Sequence, residues 1–238
     1  MPPKLEAAVL ITGASRGLGL LLARSFAERG DKVVGFARSG PGFVHPNYQH
    51  LQIDLTEEAE VVKAFIQLNS DPAGIRLCIN NAGVAQASLA LLTKAQTFSD
   101  TLTANLTSAF VVSREALKHM KRRRFGRIVN MTSINVPMAS PGGVAYNASK
   151  AGLEAMMRTL VHEVVPAEDI TFNALGLSLV AQSGMVEGLS EAGLSAKVSR
   201  LPKPALLEVD EIIHALDFLA APEARNITGQ TLYFGGVS

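Results

Sequence analysis

Ala7-Ala8-Val9-Leu10-Ile11-Thr12-Gly13-Ala14-Ser15-Arg16-Gly17-Leu18-Gly19 is the stretch that decides the fold. An apolar run of strand length feeds a glycine-rich turn. An amphipathic segment follows (Leu20, Leu21, Leu22, Ala23, Phe26, Ala27), closed by Gly30. Glycines let the backbone turn tightly and approach a phosphate, and a helix N-terminus offers unpaired N–H groups to its charge. The spacing is Gly-x-x-x-Gly-x-Gly, and a glycine cluster alone fits any tight strand-to-helix turn as well. At the head of a βαβ pattern it reads as a dinucleotide pyrophosphate site, cradled by Gly13, Ala14, Ser15, Arg16, Gly17, Leu18 and Gly19.

Downstream the same alternation repeats. Apolar runs predict strands near 7–12, 32–37, 50–53, 76–80, 127–132, 169–174 and 231–234. Helical patterns predict helices near 17–29, 57–69, 93–123, 145–165 and 208–219, the third kinked around 102–104. Alternation of this kind gives an α/β class protein: a doubly wound, seven-stranded parallel sheet with helices on both faces, a single Rossmann domain over 1–238. The ligand belongs at the carboxyl ends of the strands. The stretch 177–204 reads as a long insertion that covers the site as a lid.

A second motif carries chemistry. Tyr146 and Lys150 are four residues apart and share one helix face. Ser133 ends the apolar run Arg127-Ile128-Val129-Asn130-Met131-Thr132, placing a hydroxyl at a strand's carboxyl end. A free phenol titrates near ~10, and a neighbouring ammonium pulls that value toward the working range. Tyr-x-x-x-Lys by itself is equally an ordinary surface pair on a helix.

Taken together, Thr12-Gly13-x-x-x-Gly17-x-Gly19, Asn80-Asn81-Ala82-Gly83, Asn105, Ser133, Tyr146 and Lys150 resemble the short-chain dehydrogenase/reductase family in order and spacing. Within it the chain looks most similar to 3-oxoacyl-[acyl-carrier-protein] reductases. The opening Thr-Gly-Ala-Ser-Arg-Gly, the strand Gly126-Arg127-Ile128-Val129-Asn130 and the ending Ile227-Thr228-Gly229-Gln230-Thr231-Leu232 carry that likeness. The resemblance implies hydride transfer between a nicotinamide cofactor and a carbonyl carbon. Tyr146 would exchange the proton, Ser133 would hold the carbonyl oxygen, and Lys150 would tune Tyr146 and hold the nicotinamide ribose. Asn105 would anchor a water on its backbone carbonyl. Asn81, Ala82 and Gly83 would lie beside the cofactor ribose, and Asp54 and Leu55 beside the adenine. Asp54 or, better placed, Thr56 could equally cap the helix that follows.

The second strand, Lys32-Val33-Val34-Gly35-Phe36-Ala37, runs into Arg38 with no acidic residue at its end. A carboxylate there would bind the adenosine ribose and repel a 2′-phosphate, whereas Arg accommodates the phosphate. Arg38 with Arg16 therefore favours NADP(H); a solvated surface charge is the other reading of each. The family's Asn-x-x-x-Pro-Gly followed by Thr becomes Asn173-Ala174-Leu175-Gly176-Leu177-Ser178, with Gln182 or Ser183 at the Thr position. A rigid turn is thereby expected to give way to an unconstrained one.

Composition excludes other classes. The 22 basic and 21 acidic side chains nearly balance, and there is no Trp and few Tyr, so a nucleic-acid partner is not expected. No apolar stretch is long enough for a membrane span. The lone Cys78 allows no intrachain disulfide, and residues 1–6 lack a secretory core, which favours the cytoplasm. No metal-ligand cluster is evident. Lys121-Arg122-Arg123-Arg124 is either a solvated helix end or a docking patch. By resemblance Arg124 matches one of two carrier-protein docking positions, while the other reads Pro166-Ala167-Glu168-Asp169 and is acidic. The lid's Leu179, Val180, Met185, Val186, Leu189 and Leu194 suit an acyl chain or another hydrophobic ketone. The leading expectation is NADPH-dependent reduction of a 3-oxoacyl thioester. A reductase of free hydrophobic ketones is the alternative, and a non-catalytic NADP(H)-binding regulator is a remote third. Family likeness also implies a homo-oligomer, tetrameric or dimeric, through the long helices and the last strand.

Overall fold

The computed structural model describes residues 7–69, 74–181 and 190–237. Seven strands form one all-parallel sheet in the order β3-β2-β1-β4-β5-β6-β7. They are β1 (Ala8–Thr12), β2 (Val33–Ala37), β3 (Tyr48–Gln52), β4 (Ile75–Asn80), β5 (Phe125–Ser133), β6 (Asp169–Leu177) and β7 (Thr231–Tyr233). The order reverses direction between β1 and β4. There the crossovers diverge and leave a crevice at the carboxyl ends of the strands.

Helices cover both faces: α1 (Gly17–Glu28), α2 (Glu58–Leu68), α3 (Ala95–Leu102), α4 (Ser108–Arg123), α5 (Asn135–Met138), α6 (Val144–Val161), α7 (Glu191–Val198) and α8 (Val209–Ala220). Side chains on β1 alternate between the two faces, as strand geometry requires. Leu10 joins a core with Phe36, Phe65, Val112, Ile128 and Phe172. Val9 and Ile11 join the opposite core with Leu22, Phe26, Ile79, Val129 and Ile212. Each such buried side chain contributes roughly 1.5–3 kcal/mol, so the sheet is clamped from both sides.

The predicted strands and helices are all present, with differences that have physical causes. The helix expected over 93–123 is interrupted by a π-helical turn at Thr103–Thr107, which begins within the expected kink at 102–104, with Asn105 fully buried inside it. The β2–β3 crossover, residues 38–47, contains no helix, in agreement with the predicted pattern. Within it Phe43 stacks on Tyr48 at 4.3 Å between ring centroids, with Arg24 of α1 over its ring. β6 runs through Leu177 rather than ending at 174.

Candidate functional site

The glycine turn is held in the shape a phosphate needs. Gly13 (φ 71°) and Gly17 (φ 54°) adopt left-handed conformations that side chains disfavour. A Cβ on Gly19 would collide with the Gly13 carbonyl oxygen and with the Asn81 amide. Arg16 stands extended at the helix N-cap with no side-chain capping bond, and no acidic residue occupies the first turn of α1. The first N–H groups of α1 are thus offered to an anion rather than to the protein's own side chains.

That turn forms one wall of a cleft of about 810 Å³. Gly13, Ser15, Arg16, Gly17, Leu18, Gly19, Arg38, Asp54, Leu55, Asn81, Ala82 and Gly83 all line it, as the sequence predicts. Ala14 does not. Its methyl is fully buried in the core facing Gly35, which has no side chain to obstruct it. Arg16 and Arg38 are both exposed at the cleft. Asp54 accepts from the Thr56 amide (2.9 Å) and hydroxyl (2.8 Å), which hold its carboxyl below the usual range against the opposing effect of burial. Neither Asp54 nor Thr56 caps α2; Glu57 occupies the N-cap without a side-chain bond.

Asn81 is architectural. Its amide donates to the Thr12 carbonyl (2.9 Å), and the Thr12 hydroxyl accepts from the backbone N–H of Asn81 and of Ala82, each at 3.0 Å. These bonds buckle the ends of β1 and β4 together. Thr12 is a positioning residue that a glycine-centred reading passes over, although a hydroxyl at a strand end is its visible signal. Asn80 performs the same service on the other side, donating to Asn130 and Ser113 at 2.8 Å each.

Ser133, Tyr146, Lys150 and Asn105 come together just beyond the Gly83 end of the cleft; none of the four, Tyr146 and Lys150 included, lines the cleft itself. Ser133 ends β5, and its hydroxyl faces the Tyr146 phenol closely enough to lower its pKa, while accepting from the Asn135 amide at 3.1 Å. Lys150 lies one turn below Tyr146 on α6, its Nζ 5.7 Å from the centre of the phenol ring and close to the space beside Gly83. The Lys150 ammonium donates to the Met131 carbonyl at 2.7 Å. Burial pushes its pKa down to about 8. Burial also raises the Tyr146 phenol, partly offset by the Ser133 hydroxyl. The expectation that Lys150 lowers Tyr146 is therefore not met in this structure, because the ammonium is directed at the strand carbonyl and not at the phenol oxygen.

Asn105 is locked by three bonds. Its amide exchanges hydrogen bonds with both backbone groups of Val84 (2.7 and 2.9 Å) and donates to Ser149 (2.9 Å), which in turn donates to the Tyr146 carbonyl (2.7 Å). The π-helical turn thus ties the cofactor-side loop to the helix bearing Tyr146, consistent with the tendency of such turns to mark functional sites. Glu154, a further turn along α6, is buried and accepts from Thr132 (2.9 Å) and from Tyr233 (2.7 Å). Gly176 makes room for the Tyr233 ring across β6. Neither Glu154 nor Tyr233 is visible as a pair in the sequence, since 79 positions separate them.

The segment after β6 also departs from expectation. Leu177 pairs with Ser133, its carbonyl accepts from Ile134 N–H at 3.1 Å, and Ser178 is buried. Leu179 and Ala181 then bond to Leu207 at 2.9 Å each. The stretch is strapped down by backbone pairing where a Pro-Gly turn would have ended the strand, so it is not unconstrained. Val180, expected on the lid, belongs to the core at 1% exposure. Gln182, Ser183, Met185, Val186 and Leu189 lie outside the described residues. No helix among the described residues is long and apolar enough to cross a membrane, and no group of metal-ligating side chains occurs among them.

Fold, glycine cradle and Ser-Tyr-Lys geometry define a nicotinamide-dependent oxidoreductase on a Rossmann scaffold. The family model of the short chain dehydrogenases matches residues 7–193, and the chain belongs to that family. It is 32% identical over 233 residues to the 3-oxoacyl-[acyl-carrier-protein] reductase of Vibrio cholerae, covering 95% of each chain. The enzyme of the same name from Rickettsia prowazekii is 34% identical over 233 residues, covering 95% of this chain and 94% of the other. Among solved structures, a putative gluconate dehydrogenase from Agrobacterium tumefaciens superposes with a TM-score of 0.86 at 25% identity, over 97% of this chain and 94% of that one. A 4-hydroxyisoleucine dehydrogenase complexed with NADH shares the fold at a TM-score of 0.85 and 24% identity, over 97% of each chain.

Proposed function

We propose that this protein reduces the ketone of a 3-oxoacyl thioester to a secondary alcohol with NADPH. The observation that carries the reaction type is the Ser133 hydroxyl facing the Tyr146 phenol with buried Lys150 one turn below. Gly13, Gly17 and Gly19 would admit the dinucleotide's diphosphate, and Gly83 beside Lys150 would admit its ribose. Arg16 and Arg38, with no carboxylate ending β2, favour the 2′-phosphate form. When bound, the nicotinamide supplies the hydride.

The chain's own residues do the rest. Ser133 accepts from Asn135, which leaves its hydroxyl proton free to donate to the substrate carbonyl oxygen. A phenol carries its proton at neutral pH, so Tyr146 enters the reaction as the general acid. Its hydroxyl delivers that proton to the oxygen as charge develops there, and Ser133 stabilises the oxyanion. Lys150 would supply positive charge beside Gly83, where the nicotinamide ribose would lie. Asn105 holds α6 in register through Ser149.

Tyr146→Phe should retain NADPH binding, read by nucleotide fluorescence, while reductase turnover falls about 10²–10⁴-fold. Turnover at the wild-type rate would remove the phenol from the mechanism. A panel of 3-oxoacyl thioesters and simple ketones with NADPH and NADH reads substrate and cofactor together.

A second reading, reduction of a free hydrophobic ketone, is favoured by the surroundings of Arg124. Its guanidinium donates to the Ala167 carbonyl at 3.1 Å, beside acidic Glu168 and Asp169, and so is partly engaged within the protein. If Arg124 docks an acyl carrier protein, Arg124→Glu weakens activity on carrier-bound substrate and spares the small thioester. Equal activity on both forms in that variant would favour the free ketone.

A further inference from the structure

The loop between β5 and α6 contains a construction that the hydride-transfer machinery leaves unexplained. Ala139 adopts a left-handed conformation (φ 47°), one of two non-glycine residues with positive φ among the described residues. Such a conformation costs about 1–3 kcal/mol and persists where the surroundings demand it. Here it turns the chain back after α5, with Ala139 N–H bonded to the Asn135 carbonyl at 3.0 Å. Ser140 is thereby brought onto the Asn135 side chain, its hydroxyl donating to Asn135 Oδ1 at 3.2 Å. The Ser140 carbonyl accepts in turn from Asn147, the neighbour of Tyr146, at 3.5 Å. A polar ring thus runs from Tyr146's neighbour through Ser140 and Asn135 to the Ser133 hydroxyl.

Within this ring the Asn135 amide is pinned by its oxygen. Its NH2 group has no acceptor among the described residues and is not sealed from solvent. A fixed, unused donor therefore sits two residues from the hydroxyl that would hold the reacting carbonyl. We propose that the Asn135 amide donates to a second carbonyl oxygen of the substrate, placed β to the one being reduced. Asn135 would then be the residue that separates 1,3-dicarbonyl substrates from isolated ketones. This rests on the reductase reading above and specifies its substrate. A 3-oxoacyl thioester has the two oxygens required; a simple ketone has one.

Asn135→Asp keeps the oxygen that Ser140 bonds and replaces the donor with an acceptor. With acetoacetyl-N-acetylcysteamine as probe, kcat/KM should fall about ten-fold or more, the scale of one lost hydrogen bond plus repulsion. A matched ketone lacking the thioester carbonyl should change less than about two-fold. Equal losses on both substrates, or no loss on either, would overturn the proposal. Asn135→Ala provides the same comparison should the Asp variant fail to fold. Calorimetric binding of the thioester to Tyr146→Phe protein, with and without Asn135→Asp, removes turnover from the test. Lower affinity on adding Asn135→Asp supports the contact, and unchanged affinity overturns it. Absence of any ketone reduction by the wild-type protein would instead sink the reductase reading alone.

Discussion

The two ends of the cleft are built by different means. At the β1–α1 turn the shape is set by backbone: Gly13, Gly17 and Gly19 are required by torsion angle or by contact, and the ligand would meet main-chain N–H groups. At the β5–α6 loop the shape is set by side chains: Ser133, Asn135, Ser140 and Asn147 hold one another, and strain at Ala139 is tolerated to bring them together. A backbone-built site suits a ligand common to a whole family, because nearly any side chain outside the glycines is compatible with it. A side-chain-built site can be changed one residue at a time, which suits a substrate private to this protein.

Four perturbations test that contrast, from the largest expected effect to the smallest. Tyr146→Phe strikes the chemistry at the side-chain end and should separate the two regions completely, with turnover lost and cofactor binding kept. Gly19→Ala strikes the backbone end. The added methyl meets the Gly13 carbonyl, so the protein should lose about 1–3 kcal/mol of stability together with NADPH affinity. Denaturant unfolding and nucleotide titration read both, and full retention of affinity would show that the turn relaxes. Arg38→Glu changes charge at the same end without touching the glycines. The NADPH-to-NADH preference should drop by about ten-fold or more, as expected for a charged hydrogen bond to phosphate. An unchanged ratio would assign discrimination to Arg16 or to residues outside the cleft.

The smallest effect lies away from both ends. His119 on α4 packs against Phe65, and its Nε2 has no partner among the described residues. Burial, and secondarily Arg122, hold its pKa below the usual imidazole value. As pH falls through about 6.5 the unfolded chain takes up a proton that the folded protein resists, so stability is full above that pH and declines below it. His119→Phe should flatten this acid limb of the unfolding midpoint and leave both ends of the cleft unaffected. Lys150 behaves differently. Burial holds its pKa near 8, so its positive charge is lost as pH rises through that value, and nicotinamide-cofactor affinity is expected to fall with it.

Much of the fold was legible because β1 is a continuous apolar run and α1 carries helical periodicity, both local signals. Two features were not. The extension of β6 through Leu177 depends on pairing with Ser133, 44 positions earlier. The direction of the Lys150 ammonium depends on where the Met131 carbonyl falls after β5 packs on α6. The first reverses the reading of a loosened turn, and the second leaves burial rather than Lys150 to set the direction of the Tyr146 shift.

The sequence by itself determined the order of elements, the phosphate cradle and the spacing of Tyr146 and Lys150, since glycine torsions and helical period act over a few residues. Only the tertiary structure decided which groups those residues bond: Lys150 to Met131, Glu154 to Tyr233, and Asn135 between Ser133 and Ser140. Hydrogen bonds are short-ranged and directional, so their pairing is settled when strands and helices dock, not by the spacing of residues along the chain.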